Sequence, residues 1–374
     1  MANEAADNLW MARALELARQ GVGLTSPNPC VGAVVVGPQG VLGEGTHTYA
    51  GLKHAEALAL ERAGAAARGA TLYLNLEPCC HTGRTGPCVE RIVTAGVQRV
   101  VAAMADPNPL VAGKGFDRLR QAGIQVSTGI GEAEARRLNE AFVQWIRTRC
   151  PLVALKAALT LDGQIAFSRG TGTGPQRITG DVAQAHVQEL RHQADAILVG
   201  IGTVLADDPL LTDRSGKPRR RPLLRVIMDS HLRLPPSSQL VQSAQEDVLV
   251  FCVAAENSRK RELERHGVRV EALSSVDPGT VDLGKAIHRL GEMQITNLLV
   301  EGGSLIHGAL LRDHLADKVF LYYSPRLFGN GGVPLASGSG FVGGDDAPYV
   351  RNLTWHRLGE DFAVEGYLKD PYAG

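Results

Sequence analysis

The sequence predicts two consecutive α/β domains, and three observations support this fold class. The chain has 374 residues, which exceeds the roughly 250–300 residues at which a single hydrophobic core stops growing. Predicted strands and helices alternate along the first half, a pattern typical of a sheet with helices on both faces. Cys150-Pro151 interrupts this pattern, and it begins again at Leu152. We therefore expect one domain over 1–148 and a separate α/β domain over 149–374.

The elements of the first half follow from hydrophobic spacing and turn residues. We expect Asp7 to cap an initial helix, because apolar residues from Trp10 to Ala18 recur at helical spacing. The proline-rich segment 25–29 ends this helix, and the Gly-Pro-Gln-Gly segment at 37–40 is a hairpin turn. The same criteria predict strands at 31–36, 71–76 and 99–104, and helices at 54–63, 87–95, 115–121 and 132–148.

The second half shows a similar alternation but no repeat of the first. The glycine-threonine run at 170–174 is its one low-complexity segment. Strands are predicted at 152–157, 195–199, 223–228, 248–253, 296–300 and 318–323, and helices at 181–193, 257–266, 283–292 and 304–312.

Composition narrows the class of partner. The chain carries 39 basic and 39 acidic residues, whereas a domain that holds long nucleic acid usually has a basic excess. We therefore expect small-molecule substrates and no nucleic-acid partner. No apolar run approaches the ~20 residues of a membrane span, and the N-terminal region lacks a signal-peptide pattern. Six cysteines in a chain of this length are too few for a disulfide scaffold, so we expect a cytoplasmic protein with reduced thiols and no membrane partner.

The first half contains a set of residues that fits a catalytic zinc site. His54-Ala55-Glu56 is followed by Glu77-Pro78-Cys79 and then by Pro87-Cys88. One imidazole and two thiolates would supply three ligands from His54, Cys79 and Cys88. This leaves the fourth tetrahedral position of a single zinc ion open for water, as in catalytic zinc sites.

Glu56 is predicted to transfer protons rather than to bind the metal. Residues at positions i and i+2 of a helix do not share a face, so Glu56 is poorly placed beside His54 as a ligand. A carboxylate next to zinc-activated water can instead carry a proton to a leaving amine, as in the H-x-E…P-C-x-x-C zinc deaminases. Here eight residues, not two, separate the cysteines. The alternative is a structural zinc site closed by a fourth ligand, Cys80 or His81.

Longer motifs extend along almost the whole chain and resemble one family. In the first half they are Pro27-Asn28-Pro29-x-Val31-Gly32, His54-Ala55-Glu56, Glu77-Pro78-Cys79-x-His81-x-Gly83-Arg84-Thr85-x-Pro87-Cys88 and Asp106-Pro107-Asn108-Pro109-x-Val111-x-Gly113-x-Gly115. In the second half they are Leu155-Lys156, Thr160-Leu161-Asp162-Gly163, Thr203-Val204-x-x-Asp207-Asp208-Pro209-x-Leu211-Thr212 and Val300-Glu301-Gly302-Gly303. These residues resemble the bifunctional riboflavin-biosynthesis deaminase/reductase family, which also has the long cysteine spacing.

The resemblance implies a fold and two reactions. It implies a cytidine-deaminase-like three-layer α/β/α domain followed by a dihydrofolate-reductase-like α/β domain. The first reaction is the zinc-dependent deamination of 2,5-diamino-6-ribosylamino-4(3H)-pyrimidinone 5′-phosphate. The second is the NADPH-dependent reduction of the ribosyl group of 5-amino-6-(5-phosphoribosylamino)uracil to ribityl.

The resemblance also implies a deaminase site. It makes His54, Cys79 and Cys88 the zinc ligands and Glu56 the proton donor. Amide, imidazole and carboxylate groups could recognise a polar ring and Arg84 could bind a phosphate through two hydrogen bonds. The residues implied to line the pyrimidine and phosphate pocket are Asn28, His47, His81, Arg84, Asp106 and Asn108. Taken singly, the asparagines could instead shape turns and the histidines could be ordinary core or surface residues.

The second half carries weaker evidence of its own. Glu301-Gly302-Gly303 is a tight turn between a predicted strand and the helix at 304–312, where backbone amides could attract phosphate. A plain turn would have the same sequence, and the G-x-G-x-x-G motif of a Rossmann site is absent.

Residue roles in the second half come from the resemblance. It implies contacts with NADPH from Ala158, Thr203, Asp207, Gly303, Ser304, Leu305, Ile306, His307, Gly308 and Ala309, and contacts with the substrate from Arg191, Leu211, Arg214 and Glu301. Lys156 is a further candidate for polarising the sugar or holding its phosphate, although a solvated lysine at a strand edge is the alternative. The segment 175–179 departs from the family pattern, which puts a substrate contact near 175 in doubt.

Two other functions fit parts of the pattern. One is a nucleoside or tRNA base deaminase with a non-catalytic C-terminal domain. The other is a non-catalytic binding protein with structural zinc. For the bifunctional enzyme we expect phosphoribosyl pyrimidines as partners and a homo-oligomeric state.

Overall fold

The computed structural model describes residues 2–51, 53–80, 86–108, 111–167, 177–274, 279–338 and 346–373. The chain forms two compact units. One comprises Met1–Thr148 with Pro218–Arg220, and the other comprises Arg149–Lys217 with Arg221–Gly374. Among the residues described, no helix has both the length and the apolar character that crossing a membrane requires.

The first unit contains a five-stranded sheet in the order β2-β1-β3-β4-β5. β1 is antiparallel to β2 and β3, whereas β3, β4 and β5 run parallel. The strands are β1 (Gly32–Gly37), β2 (Gly40–Thr46), β3 (Thr71–Leu74), β4 (Arg99–Ala102) and β5 (Gln125–Thr128). The helices are α1 (Ala2–Arg19), α2 (Ala55–Ala63), α3 (Cys88–Ala95), α4 (Lys114–Gln121) and α5 (Glu132–Thr148), with a short 3-10 helix at Gly64–Ala67.

Most predicted elements of this unit are confirmed, including the hairpin in which Gly37 pairs with Gly40. Two strands, β2 and β5, were not predicted. β2 contains three glycines, which have low strand propensity. β5 has only four residues, and none of them is fully buried.

The predicted role of Asp7 is wrong. α1 already begins at Ala2, so Asp7 lies inside the helix. Its buried carboxylate accepts hydrogen bonds from Tyr73 Oη at 2.8 Å and from the Arg99 guanidinium at 2.8 and 2.7 Å. The hydrogen bonds from Arg99 hold the pKa of Asp7 below its ordinary value. Asp7 therefore ties α1 to β3 and β4 rather than capping the helix.

Glycines allow helices to lie close against both faces of the first sheet. A Cβ on Gly32 would lie 2.1 Å from the Ala14 carbonyl oxygen of α1. A Cβ on Gly45 would lie 2.1 Å from the Ala55 carbonyl oxygen of α2. Gly45 pairs with Ala33, the neighbour of Gly32, and neighbouring residues of a strand point to opposite faces. α1 and α2 therefore cover opposite faces, as predicted.

The second unit contains a nine-stranded sheet in the order β11-β10-β9-β8-β12-β6-β13-β16-β15 and a small pair, β14-β7. Its strands are β6 (Leu152–Thr160), β7 (Gln164–Phe167), β8 (Ala196–Gly200), β9 (Leu224–Met228), β10 (Val248–Cys252), β11 (Val268–Ala272), β12 (Asn297–Val300), β13 (Lys318–Ser324), β14 (Gly332–Pro334), β15 (Arg351–Leu358) and β16 (Asp361–Tyr367). Its helices are α6 (Asp181–Gln193), α7 (Ile201–Asp207), α8 (Gln239–Gln242), α9 (Asn257–Arg265), α10 (Leu283–Glu292) and α11 (Ser304–Arg312), with a 3-10 turn at Gly329–Gly331.

The central part of the large sheet is buried on both faces. Ile197 and Val199 of β8 enter one hydrophobic cluster, whereas Ala196 and Leu198 enter another. All six predicted strands and all four predicted helices of this half are confirmed within a few residues at their ends. The prediction missed α7, α8, β7, β11 and the C-terminal strands β14–β16.

Gly45→Ala tests the close approach of α2 to the sheet. The added Cβ would collide with the backbone of α2, and overpacking of this kind costs about 1–3 kcal/mol. We expect the unfolding transition of the first unit to move to lower urea concentration. Gly331→Ala is the control, because its Cβ would have no neighbour within 4 Å. Equal stability of Gly45→Ala and wild type would contradict the packing described.

Candidate functional sites

The three predicted zinc ligands come together in the first unit. His54 precedes α2, Cys79 lies beyond β3, and Cys88 is the first residue of α3. Their ligand atoms all lie within 4.8 Å of one another. His54 Nδ1 lies 3.1 Å from Cys88 Sγ and 3.6 Å from Cys79 Sγ. Among the described residues, this is the one such cluster of metal-binding side chains.

These separations fit zinc. Zn–S bonds of about 2.3 Å and Zn–N bonds of about 2.05 Å at tetrahedral angles place nitrogen and sulfur about 3.6 Å apart. Cys79 is suited to bind as a thiolate, because a hydrogen bond from Cys88 lowers its pKa and nearby His54 adds to the effect. The cluster does not include Cys80, one of the two alternative fourth ligands, and His81 lies outside the described residues.

Glu56 lies beside this cluster. It is in the first turn of α2, and 4% of its surface is exposed. Its carboxyl group hydrogen-bonds to the Cys88 thiol, and burial raises the pKa of Glu56 above its ordinary value. The structure thus places a buried carboxyl group next to the three ligands without making it part of the cluster.

Asn28 and His47 form a second polar pair close to the ligands. Asn28 Nδ2 lies 3.0 Å from His47 Nε2, and His47 Nδ1 lies 2.9 Å from the Lys53 carbonyl oxygen. Burial lowers the pKa of His47, which favours the neutral ring. Nδ1–H then donates to Lys53, and Nε2 accepts from Asn28. The His47 and His54 ring centres are 5.4 Å apart, so this pair adjoins the metal centre.

Asp106 and Asn108 form a short turn after β4. Asp106 Oδ1 accepts a hydrogen bond from the Asn108 amide at 2.9 Å. Burial raises the pKa of Asp106 to about 7. The negative charge of Cys79 contributes to this shift. This contribution indicates that the turn lies close to the predicted zinc ligands. The remaining predicted pocket residues, His81 and Arg84, lie outside the described residues.

In the second unit, Lys156, Arg191 and Glu301 form a buried ionic cluster. Arg191 Nε and Nη2 donate to the two Glu301 oxygens at 2.8 and 3.0 Å, and Lys156 Nζ lies 3.4 Å from Glu301 Oε2. Burial alone would raise the pKa of Glu301, but the two cations outweigh it and lower the pKa to about 2. Lys156 lies on β6, inside the sheet and 9% exposed, so the alternative of a solvated edge lysine is wrong.

Arg191 also connects this cluster to the segment 211–214. Its Nη1 donates to the Thr212 carbonyl oxygen at 3.0 Å. Leu211 has a positive φ of 53° and a buried side chain in the core, so a ligand could meet only its backbone. The amide of Arg214 is held by Gln188 at 2.8 Å, and its side chain is exposed.

The start of α11 has the properties of a cofactor site. Ser304 Oγ and His307 Nε2 are buried and have no hydrogen-bond partner among the described residues. His307 Nδ1 donates to the Leu335 carbonyl oxygen at 3.1 Å, and burial lowers the pKa of His307 to about 4, so Nε2 is a free acceptor. Amides at a helix N-terminus attract phosphate. These groups fit a phosphate-bearing cofactor such as NADPH.

The other residues predicted to contact the cofactor are spread over several elements. Thr203 of α7 faces Gly303, since a Cβ there would lie 3.5 Å from Thr203 Oγ1. Ile306 packs against Gly200 and Gly302, and Gly308 lies against the Ser337 backbone. Leu305 is 73% exposed, and Ala309 packs on the core. Ala158 lies on β6 opposite Tyr322, and Asp207 ends α7.

Comparison with known proteins identifies the family. Residues 4–104 match the cytidine and deoxycytidylate deaminase zinc-binding region, and residues 151–364 match the RibD C-terminal domain. The riboflavin biosynthesis protein RibD of Escherichia coli is 41% identical over 96% of this chain and 98% of its own length. That of Actinobacillus pleuropneumoniae is 40% identical over 97% and 95%. The chain belongs to the RibD family.

Solved RibD structures agree with this assignment. The RibD structure from Acinetobacter baumannii aligns with a TM-score of 0.85 at 36% identity, covering 97% of this chain and 99% of that one. A deaminase/reductase from Thermotoga maritima aligns with a TM-score of 0.81 at 36% identity, covering 98% and 99%. The predicted fold class is confirmed, with a cytidine-deaminase-like domain before a RibD-type reductase domain.

Membership of the RibD family decides between the predicted functions. The chain is a bifunctional enzyme of riboflavin biosynthesis, with a zinc-dependent deaminase region followed by an NADPH-dependent reductase domain. This finding favours the bifunctional enzyme over both alternatives, the base deaminase with a non-catalytic second domain and the binding protein with structural zinc.

Zinc content after cysteine substitution tests the ligand set. Outer-shell changes alone weaken metal binding about 10–100-fold, so loss of a ligand in Cys79→Ala or Cys88→Ala should weaken it at least as much. We expect metal analysis after dialysis to find one zinc per chain in wild type and little in these variants. The neighbouring Cys80→Ala should keep its zinc. A comparable loss in Cys80→Ala would instead indicate a closed, four-ligand site.

The low pKa of Glu301 predicts acid sensitivity of the second unit. A folded-state pKa of about 2, below the ordinary 4.5, stabilises the protein above pH 4.5, and this stabilisation is lost as pH falls toward 2. The difference in unfolding free energy between wild type and Glu301→Gln should be about 2 kcal/mol smaller at pH 3 than at pH 6.

Urea unfolding at the two pH values measures this change. Glu264→Gln removes a carboxylate from an exposed pair with Lys260 and serves as the control. Exposed pairs contribute little, so its difference from wild type should change by less than about 0.5 kcal/mol. A Glu301→Gln difference that did not vary with pH would contradict the ionic cluster.

Proposed function

We propose that the first unit deaminates 2,5-diamino-6-ribosylamino-4(3H)-pyrimidinone 5′-phosphate. We also propose that the second unit uses NADPH to reduce the ribosyl group of 5-amino-6-(5-phosphoribosylamino)uracil to ribityl. The names of both activities are those of the T. maritima relative. The observation that carries the proposal is the convergence of His54, Cys79 and Cys88 beside the buried carboxyl group of Glu56.

In the deaminase site, His54, Cys79 and Cys88 would hold one zinc ion. Zinc bound there supplies the Lewis acidity that makes water a competent nucleophile near neutral pH. Glu56 would take a proton from the attacking water and deliver it to the nitrogen of the leaving amine, so that ammonia departs. Its burial beside the ligands keeps this proton transfer away from bulk water.

Four described residues are proposed to bind the pyrimidine. Asn28 and His47 form a pair next to His54, and Asp106 and Asn108 form a turn after β4. Amide and carboxyl groups can match the donors and acceptors of a diaminopyrimidinone edge. His81 and Arg84 complete the proposed pocket, with Arg84 binding the phosphate.

In the reductase site, NADPH supplies the hydride. We propose that Ser304 Oγ, His307 Nε2 and the amides at the start of α11 bind this cofactor, since these two side-chain atoms have no partner within the described chain. Thr203, adjacent to Gly303, extends the same surface. Ala158, Asp207, Leu305, Ile306, Gly308 and Ala309 remain proposed members of this site.

Lys156, Arg191 and Glu301 are proposed to bind the ribosyl substrate. The cluster brings two cationic groups to one place, and such groups suit a phosphorylated substrate. Lys156 could then polarise the sugar while Glu301 holds the ammonium group of Lys156 in place. The backbone of Leu211 and the exposed side chain of Arg214 would border the same pocket. We further propose a cytoplasmic homo-oligomer whose partners are these small molecules.

Glu56→Gln tests the proposed deaminase chemistry. Glutamine has nearly the same shape but cannot transfer the proton, so ammonia release should fall by about 10²–10⁴-fold. Zinc content and NADPH oxidation on the second substrate should stay at wild-type values. The matched control is Glu61→Gln on the same helix, whose side chain is 48% exposed, and we expect it to retain full deaminase activity.

Several outcomes would contradict the proposal. Normal ammonia release by Glu56→Gln would remove Glu56 from the reaction. Release of ammonia by wild type without NADPH oxidation on the second substrate would remove the reductase assignment. Turnover of RNA or nucleosides, with none of the phosphoribosyl pyrimidine, would replace the substrate.

A further inference from the structure

One short segment, residues 75–79, contacts the loop after Asn28 and the loop that carries Asp106 and Asn108. It follows β3 and ends at the zinc ligand Cys79. No role was predicted for Asn75 or Glu77 from the sequence. Both side chains are nevertheless almost fully buried, with exposures of 0% and 3%. A buried amide and a buried carboxylate need partners, and the partners of both belong to the proposed substrate-binding loops.

Glu77 holds the loop that carries Asp106 and Asn108. Its Oε2 accepts hydrogen bonds from the amides of Asp106 and Gly113 at 3.0 and 2.9 Å. Its Oε1 accepts from the amides of Gly115 and Phe116 at 2.9 and 3.2 Å. One carboxylate therefore satisfies four backbone donors in a segment about thirty to forty residues away along the chain.

The same carboxylate caps α4 from a distance. Gly113 is the N-cap residue of α4, and no side chain of its own caps this end. Glu77 supplies the missing acceptor, and its negative charge lies at the positive end of the helix dipole. Gly115 permits the approach, since a Cβ there would lie 2.4 Å from the Pro78 carbonyl oxygen. Loop and helix are thus fixed to the chain that leads to Cys79.

Asn75 holds the loop that follows Asn28 in a similar way. Its Oδ1 accepts from the Gly32 amide at 2.9 Å, and its Nδ2 donates to the Cys30 carbonyl oxygen at 2.8 Å. Asn139 of α5 adds a bond to the Cys30 amide at 2.8 Å. Cys30 lies two residues after Asn28, so these contacts fix the start of β1 and the turn that carries Asn28.

We infer that Asn75 and Glu77 are positioning residues of the deaminase, which set the substrate-binding loops relative to the zinc ligand Cys79. This inference rests on the proposed function, because Asn28, Asp106 and Asn108 bind substrate only under that proposal. Neither residue is placed to touch the reacting atoms. They act through the loops whose backbones they hold.

The test measures KM and kcat of deamination in the full-length chain with Glu77→Gln and Asn75→Asp. The oxygen of the introduced glutamine could accept from only one pair of amides, while its NH₂ group would face the other pair. The introduced aspartate could not donate to the Cys30 carbonyl oxygen. Contacts made equally in ground and transition states affect KM rather than kcat. We expect KM to rise at least about tenfold, with kcat within about threefold of wild type and one zinc per chain.

Two measurements separate positioning from a merely structural role. A variant that is simply less folded would lose zinc and apparent kcat together while its active fraction kept the wild-type KM. Amide hydrogen exchange adds a readout that does not depend on activity. In Glu77→Gln the amides of Asp106, Gly113, Gly115 and Phe116 should exchange faster than in wild type. Asp117→Asn, on the exposed side of α4, is the control. It should change neither the KM of deamination nor the exchange rates of these amides.

Each outcome decides the inference. An unchanged KM in both variants overturns it, as does a parallel loss of zinc and kcat at constant KM. If Glu77→Gln does not fold, Asn75→Asp must still show the KM increase for the inference to stand. Wild-type protein without deaminase activity would instead refute the proposed function, and the exchange measurement would still report whether Glu77 holds the loop.

Discussion

The convergence of three donor atoms from separate chain segments is the constraint on which the first unit depends. A zinc site with one open position requires His54, Cys79 and Cys88 to lie within a few ångströms, although thirty-four residues separate the first from the last. The fold meets this requirement by bringing the starts of α2 and α3 to the end of β3. α2 can lie this close because β2 presents Gly43 and Gly45, whose missing side chains leave room for its backbone.

The proposed substrate site of the second unit is built around a buried ionic cluster rather than a metal. Burying two cations and a carboxylate is costly unless the groups satisfy one another, and Arg191 and Lys156 achieve this by sharing Glu301. The cluster joins α6, β6 and the end of β12, so three elements fix its geometry. Near it, Ser304 and His307 keep polar atoms without partners among the described residues, which is what a ligand-binding site requires.

Hydrophobic spacing was sufficient to predict the longer elements. The helices at 132–148, 181–193, 283–292 and 304–312 match the structure at both ends because each has an apolar face and clear flanking residues. Spacing did not locate the first residue of α1, so Asp7 was misassigned. It also missed β15, in which no residue is fully buried, and β16, which mixes buried and partly exposed residues.

Site residues could be predicted from the sequence only where their residue types indicate a particular chemistry. His54, Glu56, Cys79 and Cys88 stand out because this combination of residue types is typical of zinc deaminases. Asn75 and Glu77 do not, since their partners are backbone groups 29 to 45 residues away, and such contacts leave no local pattern. Likewise, nothing in the sequence near Lys156 indicates that it shares Glu301 with Arg191 of α6.

We expect zinc in the first unit to have three protein ligands and one open position. X-ray absorption spectroscopy at the zinc edge of the purified chain tests it most directly. We expect two sulfur neighbours at about 2.3 Å, one imidazole nitrogen and one further light atom from solvent. A third sulfur, or a second imidazole in place of the solvent atom, would show that the protein closes the metal off, and the deaminase mechanism would then fail.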